Sequence, residues 1–180
     1  MRIRFDFFLA IPNPRLPLLL LLLSLGLGGC MSSMPMQSEI QEQQLVERLA
    51  KVESAPVDDR RIEVIGTALA QIGTPYAWGG AKPETGFDCS GLVKYTLNLV
   101  GIETPRTAAE QFTRAQHKSV DELLPGDLLF FHINPRTEHV AIYLGAGEFI
   151  HAPSSGSNVR LESLHQRYWL KRFSGVGSYL

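Results

Sequence analysis

Apolar and polar positions change rhythm twice along the chain. From Leu16 to Gly29 the sequence is almost solidly apolar, with leucines at 16, 18–23, 25 and 27. Met31 to Arg61 is polar and poor in large apolar residues; only Leu45, Leu49 and Val52 share a helical face, too little for a helix that stands alone. Beyond Arg61 a globular pattern begins. Ile65, Ala68, Leu69 and Ile72 form a helical stripe that Gly73 and Pro75 close. A Gly/Pro-rich loop follows from Thr74 to Phe87, and the apolar run Leu92 to Val100, stopped by Gly101, predicts a helix starting near Cys89. Thr107-Ala108-Ala109-Glu110 has capping-box spacing and opens another short helix. After the turn Pro125-Gly126-Asp127 the chain becomes β-like, with strands expected at Leu128–Ile133, His139–Leu144, Glu148–His151, Asn158–Leu161 and Val176–Leu180. A short helix over Ser163–Leu170 separates the last two. Helices first and an antiparallel sheet second make an α+β domain over residues 62–180.

Charge becomes informative once the first 29 residues are set apart. They hold 17 apolar residues, three arginines and one acid. The remainder carries 14 basic and 17 acidic side chains, so the overall −1 conceals a value of −3. No cationic face is clustered in the sequence, which argues against a nucleic-acid partner. The apolar run is too short to cross about 30 Å of hydrocarbon. Arginines before it and small residues after it are the layout of an export signal. Leu27-Gly28-Gly29-Cys30 resembles the lipobox of bacterial lipoproteins, which implies cleavage before Cys30 and attachment of diacylglycerol to its thiol. Residues 1–29 are therefore expected to be a signal peptide and 30–61 a lipidated Cys30 with a flexible tether, reaching about 30 Å as a coil. Each buried CH₂ contributes about 0.8 kcal/mol, so three acyl chains would hold firmly. Residue 31 is Met, not the Asp of an inner-membrane retention signal, which favours the periplasmic face of a Gram-negative outer membrane.

Two cysteines permit at most one disulfide, and none if Cys30 carries lipid. An unpaired Cys89 in an exported protein then suggests reactivity, against the alternative of a small buried hydrophobe. Asp88-Cys89-Ser90-Gly91 leads into the apolar helical run, setting the thiol at a helix N-terminus, where the dipole favours thiolate. Such a nucleophile needs a base, and His139 begins one strand while His151 ends the next. If Gly145-Ala146-Gly147 is a three-residue loop, Leu144 faces Glu148 and Ala141 faces His151, with His139 diagonal to His151 on the same face. A two-residue loop would put the imidazoles on opposite faces. Cys89 would attack a carbonyl carbon, His139 would form a thiolate–imidazolium pair with it and later protonate the leaving amine, and His151 would fix the tautomer of His139. The oxyanion would be met by the Cys89 N–H and a second donor at the helix start. His117 and His165 read as solvated, and His132 can face either way. A zinc site of Cys89, His139 and His151 competes, but no ligand pair close in sequence supports it.

Pro75-Tyr76-Ala77-Trp78-Gly79-Gly80, Phe87-Asp88-Cys89-Ser90-Gly91, Pro105-Arg106-Thr107, Pro125-Gly126-Asp127-Leu128, His139-Val140-Ala141-Ile142-Tyr143-Leu144-Gly145 and Phe149-Ile150-His151-Ala152 occur in one order across the domain. In this the chain resembles the NlpC/P60 family of papain-like cell-wall cysteine peptidases, and its layout is similar to that of lipid-anchored Gram-negative murein endopeptidases. The resemblance implies a papain-like fold with N-terminal helices on a mostly antiparallel sheet of about five to six strands. It implies Cys89 as nucleophile, His139 as base and His151 as third polar group. It further implies Tyr76 over the site near the oxyanion or substrate, and Asp88 and Ser90 in contact with substrate. Trp78, Gly79 and Gly80 read as shaping the loop, Arg106 as structural. Asn134–Glu138 and Ser154–Asn158 are expected to line the groove. The implied reaction is hydrolysis of the D-alanyl–meso-diaminopimelate cross-link of peptidoglycan, or alternatively of the D-glutamyl–meso-diaminopimelate bond in stem peptides. A peptidoglycan-binding lipoprotein without catalysis is the reading from another class. No cofactor or metal is expected, and the protein is expected to act as a monomer held to the membrane through Cys30.

Overall fold

The computed structural model describes residues 57–135 and 137–180. The segment expected to be an export signal, Cys30 and the expected tether as far as residue 56 lie outside the described residues. The first helix, α1 (Asp59–Leu69), is capped by Asp58, whose carboxylate accepts from the Arg61 N–H at 3.0 Å. It starts inside the segment expected to be tether. Asp58-Asp59-Arg60-Arg61 looks like a solvated charge run, yet Arg61 is only 5% exposed. Its guanidinium reaches across the fold to Asp127 Oδ1 at 2.9 Å and the Pro125 carbonyl at 2.8 Å. That partner is 66 positions away, so no local pattern announces it.

The Gly/Pro-rich loop contains a small hairpin, β1 (Ala81–Lys82) and β2 (Gly86–Phe87). Then come α2 (Cys89–Leu99) and α3 (Ala108–Arg114), the latter capped as expected by Thr107, whose hydroxyl accepts from the Glu110 N–H at 3.3 Å. The sheet is built from β3 (Gln116–Lys118), β4 (Leu128–Asn134), β5 (Thr137–Gly145), β6 (Glu148–His151), β7 (Arg160–Ser163) and β8 (Phe173–Ser178), with α4 (Arg167–Leu170) before the last strand. Among the described residues its order is β3-β8-β4-β5-β6-β7, and every pairing is antiparallel. This is the α+β architecture expected. β3 was not foreseen, because Gln116-His117-Lys118 carries no apolar side chain. β7 begins two residues later than expected, at Arg160 instead of Asn158.

Both sheet faces are covered, which is why β4 reads Leu-Leu-Phe-Phe without alternation. Leu128, Phe130, Val140, Ile142 and Ile150 pack with Val64, Ile65, Leu92, Val93 and Leu97 of α1 and α2. Leu129, Phe131, Ala141, Phe149 and Val176 form a second cluster under Trp169 of α4. Asp127, fully buried just before β4, joins the sheet to α1. It accepts from Arg61, from Lys118 Nζ at 3.0 Å, from Ser178 Oγ at 2.6 Å and from the Leu124 N–H at 2.9 Å.

The β5–β6 hairpin departs from its expected turn but preserves its expected faces. Gly145 pairs with Glu148, so the loop is the two residues Ala146-Gly147, both at positive φ (51° and 76°) as a type I′ turn requires. A β-bulge between Tyr143 and Gly145 then shifts the register by one, restoring Tyr143 opposite Phe149 and Ile142 opposite Ile150. Continued one step, that register sets Ala141 beside His151.

Candidate active site

Cys89 is the first residue of α2, and the start of that helix is locked on every side. Asp88 is the N-cap: Oδ1 accepts from the Gly91 N–H at 2.7 Å and Oδ2 from the Gly79 N–H at 3.0 Å. Arg106 clamps the same carboxylate with two bonds, Nη1 to Oδ1 at 2.9 Å and Nη2 to Oδ2 at 2.7 Å. Gly80 lies so near that a Cβ on Gly91 would drive into its carbonyl oxygen, an oxygen that also accepts from the Asp88 N–H at 3.1 Å. The helix can meet the loop only through glycine. The Cys89 thiol is thereby carried to β5, where the Val140 N–H acts on it, as do the N–H groups of Ser90 and Cys89 itself.

His139, next to Val140 on β5, meets His151 of β6. His139 Nε2 and His151 Nδ1 are 2.8 Å apart, with ring centroids at 5.0 Å and planes at 85°. Both rings are buried, at 4% and 0% exposure. Trp169 covers them, stacked on His139 at 5.7 Å and edge-on to His151 at 5.1 Å. Beyond His151 stands Glu162 of β7, with Oε1 3.4 Å from His151 Nε2. Phe149 pairs with Glu162 and His151 with Arg160, so Glu162 is diagonal to His151 as His139 is on the opposite flank. Glu162 is itself held by Arg160, at 2.6 Å from Nη2 and 2.8 Å from Nε, and by the Trp169 indole N–H. Glu162 and Trp169 are the participants that sequence reasoning missed. Their signal was the polar–apolar–polar run Arg160-Leu161-Glu162, hidden because the strand was expected to end at Leu161.

Burial dominates the electrostatics of the site. Burial pushes the Cys89 thiol up, and the nearby Asp88 charge adds to it, against the lowering effect of the Val140, Ser90 and Cys89 amides. Burial, then the neighbouring His151, lowers His139 to about 3, with Glu162 opposing. Burial thus favours the thiol and the neutral imidazole, against the pull of the helix dipole toward thiolate. His151 is also lowered, by burial first, while Glu162 is held at about 2, chiefly by its bond with His151. Glu162 is thus the anion of this cluster.

Tyr76 is half-buried beside this site: burial raises its hydroxyl first, then the charges of Cys89 and Asp88, while Arg106 opposes them. Asp88 and Ser90, expected to contact substrate, hydrogen-bond to each other and to Arg106. Ser90 Oγ donates to Asp88 Oδ1 at 3.2 Å and accepts from Arg106 Nη1 at 3.0 Å. Trp78 does not shape the loop from within; it is 89% exposed. The segment Asn134–Glu138 is no open loop, since Asn134 pairs with Thr137. The insert Ser154–Asn158 does adjoin the site, with the Ser157 carbonyl accepting from the Tyr76 N–H at 2.8 Å. His117 is exposed but sits edge-on to Phe112 at 4.6 Å, and His132 is exposed beside Glu138 at 2.7 Å. His165 is exposed over Gly147.

The sequence profile of the NlpC/P60 family matches residues 73–178, from the end of α1 through β8. This chain belongs to the NlpC/P60 family. The family is one of cysteine peptidases. Within the NlpC/P60 family, the chain is 40% identical over 133 residues to the murein DD-endopeptidase MepH of Escherichia coli, covering 71% of this chain and 49% of that protein. It is 43% identical over 117 residues to the bifunctional muramidase/DL-endopeptidase CwlT of Bacillus subtilis, covering 63% of this chain and 35% of that protein. Among solved structures, a Staphylococcus aureus protein described as similar to lipoprotein, NLP/P60 family, aligns with a TM-score of 0.62 at 37% identity, over 70% of this chain and 43% of that one. The chain spans less than half the length of these relatives.

Proposed function

We propose that this NlpC/P60 domain hydrolyses peptide bonds of peptidoglycan, with Cys89 as nucleophile, His139 as base and His151 as the group that orients it. The observation that carries the reading is the 2.8 Å contact between His139 and His151 on the strand whose Val140 N–H meets the Cys89 thiol. His139 Nε2 is engaged with His151, so Nδ1 is the nitrogen left for the thiol. As Cys89 Sγ attacks the carbonyl carbon, its proton passes to Nδ1. The resulting oxyanion accepts from the Cys89 and Ser90 N–H groups, because Asp88 already occupies that of Gly91. Collapse breaks the C–N bond, and His139 returns the proton to the departing amine. Water then attacks the thioester, giving its proton to His139 and releasing the carboxylate and the thiol. Tyr76 flanks the thiol as a further donor, while Asp88, Ser90 and Arg106 hold the helix start in place.

The preferred bond is the D-alanyl–meso-diaminopimelate cross-link, supported by the DD-endopeptidase relative; the DL-endopeptidase relative supports the D-glutamyl–meso-diaminopimelate bond as the alternative. Incubation of residues 31–180 and its C89A variant with defined muropeptides, with products weighed by mass spectrometry, identifies the bond. Cleavage abolished by C89A is expected. Equal binding by both proteins without turnover would favour a binding module. The lipobox-like Leu27-Gly28-Gly29-Cys30 supports an outer-membrane lipoprotein acting from its tether. Cys30→Ser in the full chain should then move the protein from the membrane fraction to the soluble one; continued membrane association of that variant would refute lipid anchoring.

A further inference from the structure

Three adjacent strands present His139, His151 and Glu162 along one diagonal, and the chemistry of the last decides the protons of the other two. We infer that Glu162 is a positioning residue that sets, through His151, which nitrogen of His139 is basic. The inference deepens the proposed peptidase reading and rests on it for its consequence, although its structural content does not.

A carboxylate is an acceptor only. Glu162 Oε1 stands 3.4 Å from His151 Nε2, a charge contact without hydrogen-bond alignment, and that buried nitrogen has no hydrogen-bond partner among the described residues. A lone pair on Nε2 would face an anion, so the proton resides there. Neutral His151 then has its lone pair on Nδ1, which lies 2.8 Å from His139 Nε2. His139 Nε2 must therefore be the donor, leaving the lone pair of His139 on Nδ1. One fixed anion thus propagates a single tautomer through two rings, delivering a base at the far end. The anion is fixed because Arg160 grips Oε1 twice and the Trp169 N–H binds Oε2. Trp169 also lies over both imidazoles, so the group that holds the carboxylate excludes water from the relay. The charged groups acting on the imidazole pair are Glu162 and Arg160 of β7.

Glu162→Gln is the decisive variant, because its amide either accepts or donates and no longer dictates a proton position. Glu162→Asp keeps the anion. Nitrogen-15 NMR of histidine-labelled protein reads the tautomers without any substrate. In the parent, His139 should show a pyridine-type Nδ1 and a pyrrole-type Nε2, and E162Q should show mixed forms, with E162D nearer the parent. On muropeptide, kcat of E162Q should fall roughly 10-fold or more with KM within about twofold. Loss of the anion lowers the proton affinity of both imidazoles, so the acid limb of the rate profile should move to lower pH; a purely structural defect would lower the rate alike at every pH. The pH profile of Cys89 alkylation by iodoacetamide should move in the same direction. A parent His139 protonated on Nδ1, or an E162Q variant with parental tautomers and an unmoved acid limb, overturns the inference. A parent that cleaves no muropeptide overturns the proposed function instead, and the NMR and alkylation results still decide the role of Glu162.

Discussion

Asp127→Asn removes one negative charge while keeping the shape of a side chain that is fully buried. In the parent that charge faces Arg61 at 2.9 Å and Lys118 at 3.0 Å, whose side chains are only 6% and 16% exposed. An amide in its place still accepts from the Ser178 hydroxyl or the Leu124 N–H, but both cations lose their anion. Breaking a buried pair by removing one partner costs about 3–5 kcal/mol, whereas an exposed pair such as His132–Glu138 is worth about 0–1. The retained hydrogen bonds set the expectation at the lower end, about 3 kcal/mol. With a urea m-value of about 2 kcal/mol/M, the midpoint followed by circular dichroism at pH 7 should drop by about 1.5 M at constant m. The pH dependence has a definite sign. Burial pushes the Asp127 carboxyl up, but Ser178, the Leu124 N–H, Arg61 and Lys118 together outweigh it and hold the group below its ordinary value. A carboxylate lowered on folding contributes fully above its unfolded pKa of about 3.9 and loses that contribution as pH falls through the folded value. The gap between parent and variant should therefore narrow below about pH 4. A midpoint shift under about 0.5 M at pH 7, or a gap that persists unchanged into acid, would refute the reasoning.

Two further substitutions test the helix start and the loop before it. Gly91→Ala should destabilise by about 1–3 kcal/mol in thermal melts and depress muropeptide cleavage, because the added methyl displaces α2 from Gly80 and carries Cys89 with it. Trp78→Ala should leave stability within about 0.5 kcal/mol of the parent, since a residue 89% exposed holds nothing in place; a larger drop in melting would restore the loop-shaping role.

The parts legible in the sequence were those whose cause lies within a few residues. The α2 start at Cys89 follows from an Asp cap and an apolar run, and α3 from the Thr107–Glu110 spacing. The meeting of His139 with His151 was reachable through strand register, although the turn reached it by a different route. What escaped was set by distant partners. Arg61 looked solvated because the carboxylate that neutralises it lies 66 positions along the chain. Glu162 went unnoticed because its role depends on β7 extending past Leu161 and on Trp169 folding back over β6. The burial of Cys89 escaped for a related reason: a helix dipole is read from local sequence, but desolvation is not.

The bulge between Tyr143 and Gly145 makes the site depend on counting. A single residue lost there, or gained in the Ala146-Gly147 turn, exchanges inward for outward along the rest of β5. Val140 would then take the place of His139 under Trp169, and His139 would turn away from His151. A change of two residues leaves the imidazoles facing. Length polymorphism in this hairpin is thus a parity constraint, so working relatives should differ there by even steps or carry a second bulge that repairs an odd one.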